Sequence, residues 1–233
     1  DDVRDMKAFI ICDIENPVSI NAANRCMDSL HNSDVDVKYI QQTCPETLKE
    51  DRKQFGSIKW SYPLNDFRKV DESGMTLRGY RAQSLQKVFA CTISHARLWL
   101  QSVELQEEIM ILEHDALFTR KFTPFEWEGG VCGLNDPRGA THSAQLFHEK
   151  VSKNKGVQNT PWVKDELAMP QGLAGNSAYI IKPPFAKKLI DKLKEKGGWP
   201  NDSLMCKQFF PDQLKVVYPY FTRVQGIQST TTT

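Results

Sequence analysis

The chain lacks several features that would assign it to a functional class at once. No uninterrupted apolar run reaches the ~18 residues of a membrane-spanning helix, so we expect no membrane span. No GxGxxG motif follows the first predicted strand, which argues against a dinucleotide cofactor. With 30 basic and 29 acidic residues the net charge is only +1, so the composition gives no sign of nonspecific nucleic-acid binding.

Cysteine is present but shows none of the spacings that bind zinc. The chain has six cysteines, and none forms a CxxC pair. Several lie in apolar stretches, so we predict small buried hydrophobic residues in a reducing compartment. No signal peptide is evident, and we expect a cytoplasmic location.

The remaining sequence alternates between strand and helix patterns. Apolar runs of strand length occur at 7–12, 35–40, 109–112, 131–134, 177–181 and 214–218, and helical patterns at 20–30, 84–103 and 185–196. This alternation predicts an α/β fold with a mainly parallel sheet, and we expect residues 1–233 to form a single domain. The polar stretch at 149–172 is typical of a long mobile loop, and such loops often act as lids.

One predicted strand ends in two closely spaced acids. The apolar run 109–112 leads directly into Glu113-His114-Asp115. Side chains alternate along a strand, so the two carboxylates are predicted to face one way and the imidazole the other. Carboxylates at the carboxyl end of a buried strand suit a divalent metal that holds a diphosphate. The simpler alternative is a strand that ends in solvated acids.

Four motifs follow one another in a fixed order. They are Cys91-x-x-Ser94-His95-x-x-x-Trp99, then Glu113-His114-Asp115, then Gly175-Asn176-Ser177-Ala178-Tyr179, and last Pro200-Asn201-Asp202. This series resembles family 25 glycosyltransferases, which include lipooligosaccharide and collagen galactosyltransferases, and the resemblance covers roughly residues 7–229. Within that group the chain looks closest to putative enzymes encoded by large tailed phages, which would place it in the host cell cytoplasm.

The resemblance implies a GT-A (Rossmann-like) nucleotide-sugar-binding domain with a mainly parallel mixed sheet. It also implies a nucleotide diphosphate donor, most simply a UDP-sugar, and a bound Mn²⁺ or Mg²⁺. Asp115 matches a metal ligand of the family, and Glu113 matches a residue that orients the donor ribose or a metal-bound water and is a further candidate ligand. His148 is a candidate for the distal histidine of the metal shell, although a lone histidine in a loop is usually just solvated. The family usually has aspartate where His114 stands, which puts the donor preference in doubt.

The resemblance also implies inversion at the anomeric carbon. Inversion needs a base for the acceptor hydroxyl, and Asp202 is the candidate; its alternative role is a helix N-cap. The predicted donor contacts have simpler alternatives too: His95 as a buried helix histidine satisfied by a backbone carbonyl, and Asn176 as a turn residue. These contacts are Cys12, Ser94, His95, Glu113, Asn176, Gln225 and Ser229.

Two other functional classes remain open from the sequence. The lysines of the helix predicted at 185–196 are compatible with a noncatalytic carbohydrate- or nucleic-acid-binding protein, although a solvated helix face explains them more simply. A phosphodiesterase or nuclease would use a carboxylate metal site, but that chemistry usually needs more clustered acids or histidines. For the transferase, the acceptor is a glycan, a protein hydroxyl or a modified DNA base.

Overall fold

The computed structural model of the protein describes residues 5–139 and 143–227. A seven-stranded sheet forms its centre, in the order β2-β1-β5-β9-β7-β10-β8. The strands of this sheet are Met6–Cys12 (β1), Val35–Gln41 (β2), Ile109–Glu113 (β5), Val131–Gly133 (β7), Gly156–Asn159 (β8), Ala178–Ile181 (β9) and Leu214–Tyr218 (β10). Two small sheets accompany it, one of Arg68–Val70 (β3) and Thr76–Arg78 (β4), the other of Ala116–Phe118 (β6) and Thr222–Val224 (β11).

Five of the seven central strands point the same way. β1 pairs in parallel with β2 and β5, and β10 pairs in parallel with β7, while β9 and β8 run antiparallel to their neighbours. The predicted α/β class with a mixed, mainly parallel sheet is confirmed. The reversed strand β9 carries the Tyr179 motif into the middle of the sheet, beside the acidic strand β5.

Two of the helices begin at residues whose side chains cap them. The helices are Pro17–Ser29 (α1), Leu48–Asp51 (α2), Leu85–Leu105 (α3), Ala144–Val151 (α4), Pro183–Lys196 (α5) and Asn201–Leu204 (α6), and a 3-10 turn spans Arg52–Phe55. Asn16 caps α1 by accepting hydrogen bonds from the amides of Val18 and Ser19, and Ser84 caps α3. No helix in the described ranges is long and apolar enough to cross a bilayer.

The segment predicted as a long loop is more ordered than its polarity indicates. Residues 149–172 contain the end of α4 and the edge strand β8, which pairs with β10. The irregular part is held by the buried side chain of Gln171, which accepts from the amides of Val163 and Lys164. The prediction of a structureless loop was therefore wrong, because an edge strand with polar residues has no apolar alternation to reveal it.

Alternate residues of β1 enter two different apolar layers. Ala8, Ile10 and Cys12 pack on the side that α1 covers, while Ile11 joins the layer formed by α3 and α5. Because β1 and β5 are parallel neighbours, their carboxyl ends meet at one edge of the sheet. All six cysteines are free thiols; Cys12, Cys26, Cys132 and Cys206 are buried, as predicted for several of them, and Cys44 and Cys91 are partly buried.

Candidate active site

A cleft of about 930 Å³ opens at the carboxyl edge of β1 and β5, and we refer to it as the edge cleft. Five segments form its walls: 11–19 after β1, 42–46 after β2, the β5–β6 turn, 175–177 before β9, and 200–202 at the start of α6. The C-terminal residues Gly226 and Ile227 close one side. The edge cleft therefore collects three of the four sequence motifs directly, and the fourth, on α3, lines its floor through Cys91, Ser94 and His95.

The two acids of the central motif sit in different local structures. Glu113 is the last residue of β5, whereas His114 and Asp115 form the turn into β6. Strict strand alternation therefore stops at Glu113, and all three residues line the edge cleft. The His114 ring is held by the hydroxyl of Ser19, which lies 2.7 Å from Nδ1 and accepts from the amide of Asp13.

Burial and the charge of Glu113 raise the pKa of two carboxyl groups in the edge cleft, those of Asp115 and Asp202. Burial, followed by the charge of Glu113, raises the pKa of Asp115 to about 7. The pKa of Asp202 is raised for the same two reasons, and hydrogen bonds from nearby backbone amides offset only part of the effect. Of the described residues lining the edge cleft, five are acidic and one is a lysine: Asp13, Glu46, Glu113, Asp115, Asp202 and Lys87. Such a cleft favours a cation.

The raised pKa of Asp115 predicts how a substitution affects stability. The carboxyl of Asp115 has a pKa of about 7 when folded against an ordinary 3.8, so its contribution to stability is full below pH 3.8 and is lost as pH rises to 7. Asparagine mimics the protonated form at every pH. We therefore expect Asp115→Asn to raise the Tm of the metal-free protein by more at pH 8 than at pH 5. Thermal unfolding with a chelator present tests this, and an equal difference at both pH values would contradict it.

A buried chain of hydrogen bonds orients Glu113. Trp99 Nε1 donates to the hydroxyl oxygen of Tyr179 at 3.0 Å, and that hydroxyl lies 2.7 Å from Nδ1 of His95. His95 Nε2 lies 3.2 Å from Oε2 of Glu113. Because burial raises the pKa of Tyr179 well above its usual value, the phenol stays protonated and donates to Nδ1. With Nδ1 as the acceptor, we infer that His95 carries a proton on Nε2 and donates it to Glu113.

This series of hydrogen bonds joins residues from three of the sequence motifs and explains the spacing of the residues within them. His95 and Trp99 lie one helical turn apart on α3 and face the same side, where Tyr179 of β9 stands next to β5. Trp99 also belongs to the core, since its side chain is fully buried. The sequence analysis assigned no role to Tyr179. Its place in an apolar strand could have indicated one, because a buried tyrosine needs a hydrogen-bond partner for its hydroxyl.

Cys91, His95 and Glu113 place three metal-binding atoms within 4.8 Å of one another. Two of the three groups can donate a hydrogen bond to the carboxylate of Glu113. They are His95, through Nε2, and the Cys91 thiol, whose pKa burial raises well above its usual value. The thiol sulfur lies 3.9 Å from Oε2 of Glu113. We infer that these groups act as hydrogen-bond donors to Glu113, and that a hard cation such as Mn²⁺ or Mg²⁺ fits the carboxylate oxygens of Glu113 and Asp115 instead.

Asn176 is the second polar feature of the edge cleft. Its side chain is 5% exposed, and neither Oδ1 nor Nδ2 has a hydrogen-bond partner in the described structure. The neighbouring Ser177 hydroxyl is also buried without a partner. Buried polar atoms of this kind are costly unless a ligand or water satisfies them. The alternative role of Asn176 as a turn residue therefore leaves these two atoms unexplained.

Several predicted contacts lie elsewhere or are already occupied by protein. Cys12 is fully buried beneath the sheet and does not line the edge cleft, so we assign it to the core. The Ser94 hydroxyl donates to the carbonyl of Ala90 and accepts from the amide of Thr43, which ties α3 to the loop after β2. Ser229 lies outside the described residues.

Gln225 holds the acidic turn in place. Its Nε2 donates to the carbonyls of Ala22, His114 and Ala116, and its backbone amide donates to the carbonyl of Asp115. Arg25 Nε donates to its side-chain oxygen at 2.8 Å. The side-chain amide is therefore engaged by protein groups at both ends, and it positions the turn rather than presenting itself to the edge cleft.

The predicted distal histidine is remote from the acids. His148 lies on α4, where its Nδ1 is 2.9 Å from the hydroxyl of Tyr220 and its ring packs on Tyr218 and Tyr220. Among the described residues that line the edge cleft, His148 does not appear. We therefore leave it out of the metal site; its position on a neighbouring helix could not be read from its spacing in the sequence.

Asp202 occupies a boundary between two cavities. It lines the edge cleft and also a neighbouring cavity of about 860 Å³. The N-cap of α6 is Pro200, with no side-chain capping bond, so the alternative role of Asp202 as an N-cap is not what the structure shows. A carboxylate with a raised pKa, reachable from two sides, is suited to accept a proton.

Comparison with known proteins finds one family model that matches part of the chain. Residues 29–127, less than half of the chain, match the family model described as Glycosyltransferase family 25 (LPS biosynthesis protein). This match confirms a glycosyltransferase. The matched segment holds the α3 motif and the acidic turn, and no curated protein matches the chain.

Two solved structures are also similar to the chain. The apo form of mouse xyloside xylosyltransferase 1 has 11% identity over 91% of this chain and 84% of its own, with a TM-score of 0.41. The apo form of glycosyltransferase GlyE from Streptococcus pneumoniae TIGR4 has 13% identity over 91% of this chain and 44% of its own, with a TM-score of 0.37.

Proposed function

We propose that the protein is a metal-dependent, inverting glycosyltransferase that moves a sugar from a UDP-sugar to an acceptor hydroxyl. The observation that carries the proposal is the charge of the edge cleft, which gathers Glu113, Asp115 and Asp202. A nucleotide diphosphate is itself anionic, and this cleft repels it unless a divalent cation binds between them. Burial and the charge of Glu113 raise the pKa of Asp115, and a bound cation would offset both effects.

Glu113 and Asp115 would hold the cation, which supplies Lewis-acid neutralisation of the departing diphosphate when bound. The described protein contributes the rest. Trp99, Tyr179 and His95 fix the orientation of Glu113, and Gln225 fixes the turn that carries Asp115. Rigid support of this kind is what a ligand set needs in order to keep its geometry.

The transfer itself is assigned to Asp202. A new bond forms between the acceptor oxygen and the anomeric carbon, while the bond from that carbon to the diphosphate oxygen breaks on the opposite face. The acceptor proton passes to the carboxylate of Asp202, whose raised pKa makes it a stronger base than an ordinary aspartate. Asn176, with both polar side-chain atoms unpaired, is placed to hydrogen-bond the sugar of the donor.

Thermal unfolding with nucleotides tests the donor site. We expect UDP with Mn²⁺ to raise the Tm by roughly 5–10 °C at about 100 times Kd, because a ligand that binds only the folded state stabilises it. UDP with a chelator should give a much smaller shift, since the acidic cleft then repels the diphosphate. The same screen with GDP, CDP and ADP identifies the nucleobase that the site prefers. Slow release of free UDP from UDP-sugars reports catalysis. The absence of any shift with every nucleotide and both metals would overturn the proposal.

The noncatalytic alternative loses its main support. Three of the lysines on α5 are paired with acids: Lys187 with Asp191, Lys192 with Glu195, and Lys196 with Asp71. The helix therefore does not form an uncompensated basic face. We further propose that residues 1–233 work as one domain, since a single sheet draws its strands from residue 6 to residue 218.

A further inference from the structure

A second cavity of about 860 Å³ adjoins the edge cleft, and we call it the arginine pocket. The hairpin of β3 and β4, the segment 161–175 and residues 202–203 form its walls. Of the described residues, Tyr80, Gly175 and Asp202 line both cavities. This inference rests on the proposed function, in which Asp202 is the base and the acceptor hydroxyl must reach it. An acceptor that enters through the arginine pocket can reach Asp202 while the donor occupies the edge cleft.

The charge of the arginine pocket is opposite to that of the edge cleft. Its described lining has four basic and two acidic side chains: Arg68, Arg78, Arg81, Lys164, Asp66 and Asp202. The edge cleft has five acids and one lysine. The two cavities therefore select ligands of different charge, although they meet at one carboxylate.

Two of the arginines face each other without a partner. Arg68 and Arg78 are directly paired across the antiparallel hairpin, so their side chains leave on the same face. Like charges in this arrangement are destabilising. In the described part of the chain neither makes an ion pair or a side-chain hydrogen bond, whereas Arg138 and Arg97 each lie beside an aspartate. An anion bound between Arg68 and Arg78 relieves their repulsion.

The hairpin that carries them is firmly anchored. Asp71, in its turn, forms an ion pair of 2.7 Å with Lys196 of α5, and the two side chains are only 6% and 11% exposed. Burial alone would raise the pKa of Asp71, but hydrogen bonds from Lys196 and Ser73 and the charge of Lys196 outweigh it and lower the pKa. A Cβ at Gly79 would lie 2.2 Å from the carbonyl oxygen of Asn65, so the base of the hairpin fits only glycine. The backbone that carries the two arginines is therefore fixed, while their side chains are exposed and can turn toward a ligand.

Aromatic side chains accompany the arginines. Tyr62, Phe67 and Tyr80 line the arginine pocket, and Phe67 is 76% exposed. An aromatic ring next to a concave, hydrogen-bonding surface suits the apolar face of a sugar. Nucleic acid is disfavoured, because it needs a longer basic surface than one pocket and the net charge of the chain is only +1.

We propose that the acceptor is an anionic glycan. Its phosphate or carboxylate group lies between Arg68 and Arg78, a sugar ring contacts Phe67, and the hydroxyl to be modified lies at Asp202. Arginine suits both anions because its planar guanidinium donates two parallel hydrogen bonds to either.

Direct binding of defined sugars tests this independently of turnover. The probes are a neutral disaccharide, the same disaccharide with a phosphate monoester, the same disaccharide with a carboxylate, and a single-stranded DNA oligonucleotide. We expect at least one charged sugar to bind the wild-type protein about tenfold or more tightly than the neutral one. Preference for phosphate or for carboxylate identifies the source of the charge. Equal binding of all three sugars would overturn the proposal.

Arg68→Gln combined with Arg78→Gln should abolish this preference. The matched control is Lys188→Gln with Lys194→Gln, which removes two positive charges from exposed positions of α5 that line neither cavity. The control should keep the preference; equal loss in both double variants would show a long-range charge effect and overturn the site. If the oligonucleotide bound more tightly than the sugars and lost its binding in the arginine variant, the assignment of a glycan as the acceptor would be wrong. The shift of Tm with UDP and Mn²⁺ should persist in both variants, and its absence in the wild type would refute the proposed function while leaving the binding result to stand.

Discussion

Asp115→Asn is expected to lower the kcat/KM of sugar transfer by about three orders of magnitude. The substitution keeps the shape of the side chain but removes a charge that the cation needs, in a cleft where a diphosphate is otherwise repelled. The rise of Tm with UDP and Mn²⁺ should be lost as well, because donor and metal bind together. Initial rates of UDP release and thermal unfolding measure the two effects.

The control for Asp115→Asn is Asp28→Asn, the same chemical change at an exposed position on α1. It should leave both the rate and the shift of Tm unchanged. If Asp115→Asn retained turnover with its metal dependence intact, the cation would have to bind elsewhere. The cluster of Cys91, His95 and Glu113 would then be the first place to look for it.

Asp202→Asn is expected to act on a different step. Removal of a general base costs about 10²–10⁴ in rate, so kcat should fall by this factor. Asp202 does not belong to the proposed metal ligands, so the rise of Tm with UDP and Mn²⁺ should remain. Steady-state kinetics with a charged acceptor, together with thermal unfolding, separates the two substitutions. A variant that lost donor binding together with transfer would instead assign Asp202 to the metal or to the diphosphate.

The fold was predictable where local signals and burial agreed. The apolar strand at 109–112, the capped helix after Ser84 and the stop at Gly197 were all readable, because each combines a pattern with a terminating residue. The direction of β9 and the existence of β8 were not readable. Strand direction depends on which neighbours pair, and that choice is made by contacts across the sheet.

The site was predictable in its acids and less so in its supporting residues. Glu113, Asp115 and Asp202 were found in sequence because an acid beside an apolar strand or a proline is conspicuous, and the structure brings all three to one cleft. Cys12 and His148 were assigned from the family resemblance, and position along the chain does not show which side of a sheet or helix a residue occupies. The partnership of Tyr179 with His95 spans 84 positions and appears only on folding.

The hydrogen bonds by which Gln225 holds the acidic turn have a practical consequence for recombinant work. They tie the C-terminal segment to the acidic turn, and the next described residues, Gly226 and Ile227, form part of the cleft wall. A purification handle fused after Thr233 would begin a few residues beyond that wall, and a polyhistidine handle there would compete for the very cations under study. The amino end of β1 lies at the far edge of the sheet, so a handle attached before Asp1 is the better choice.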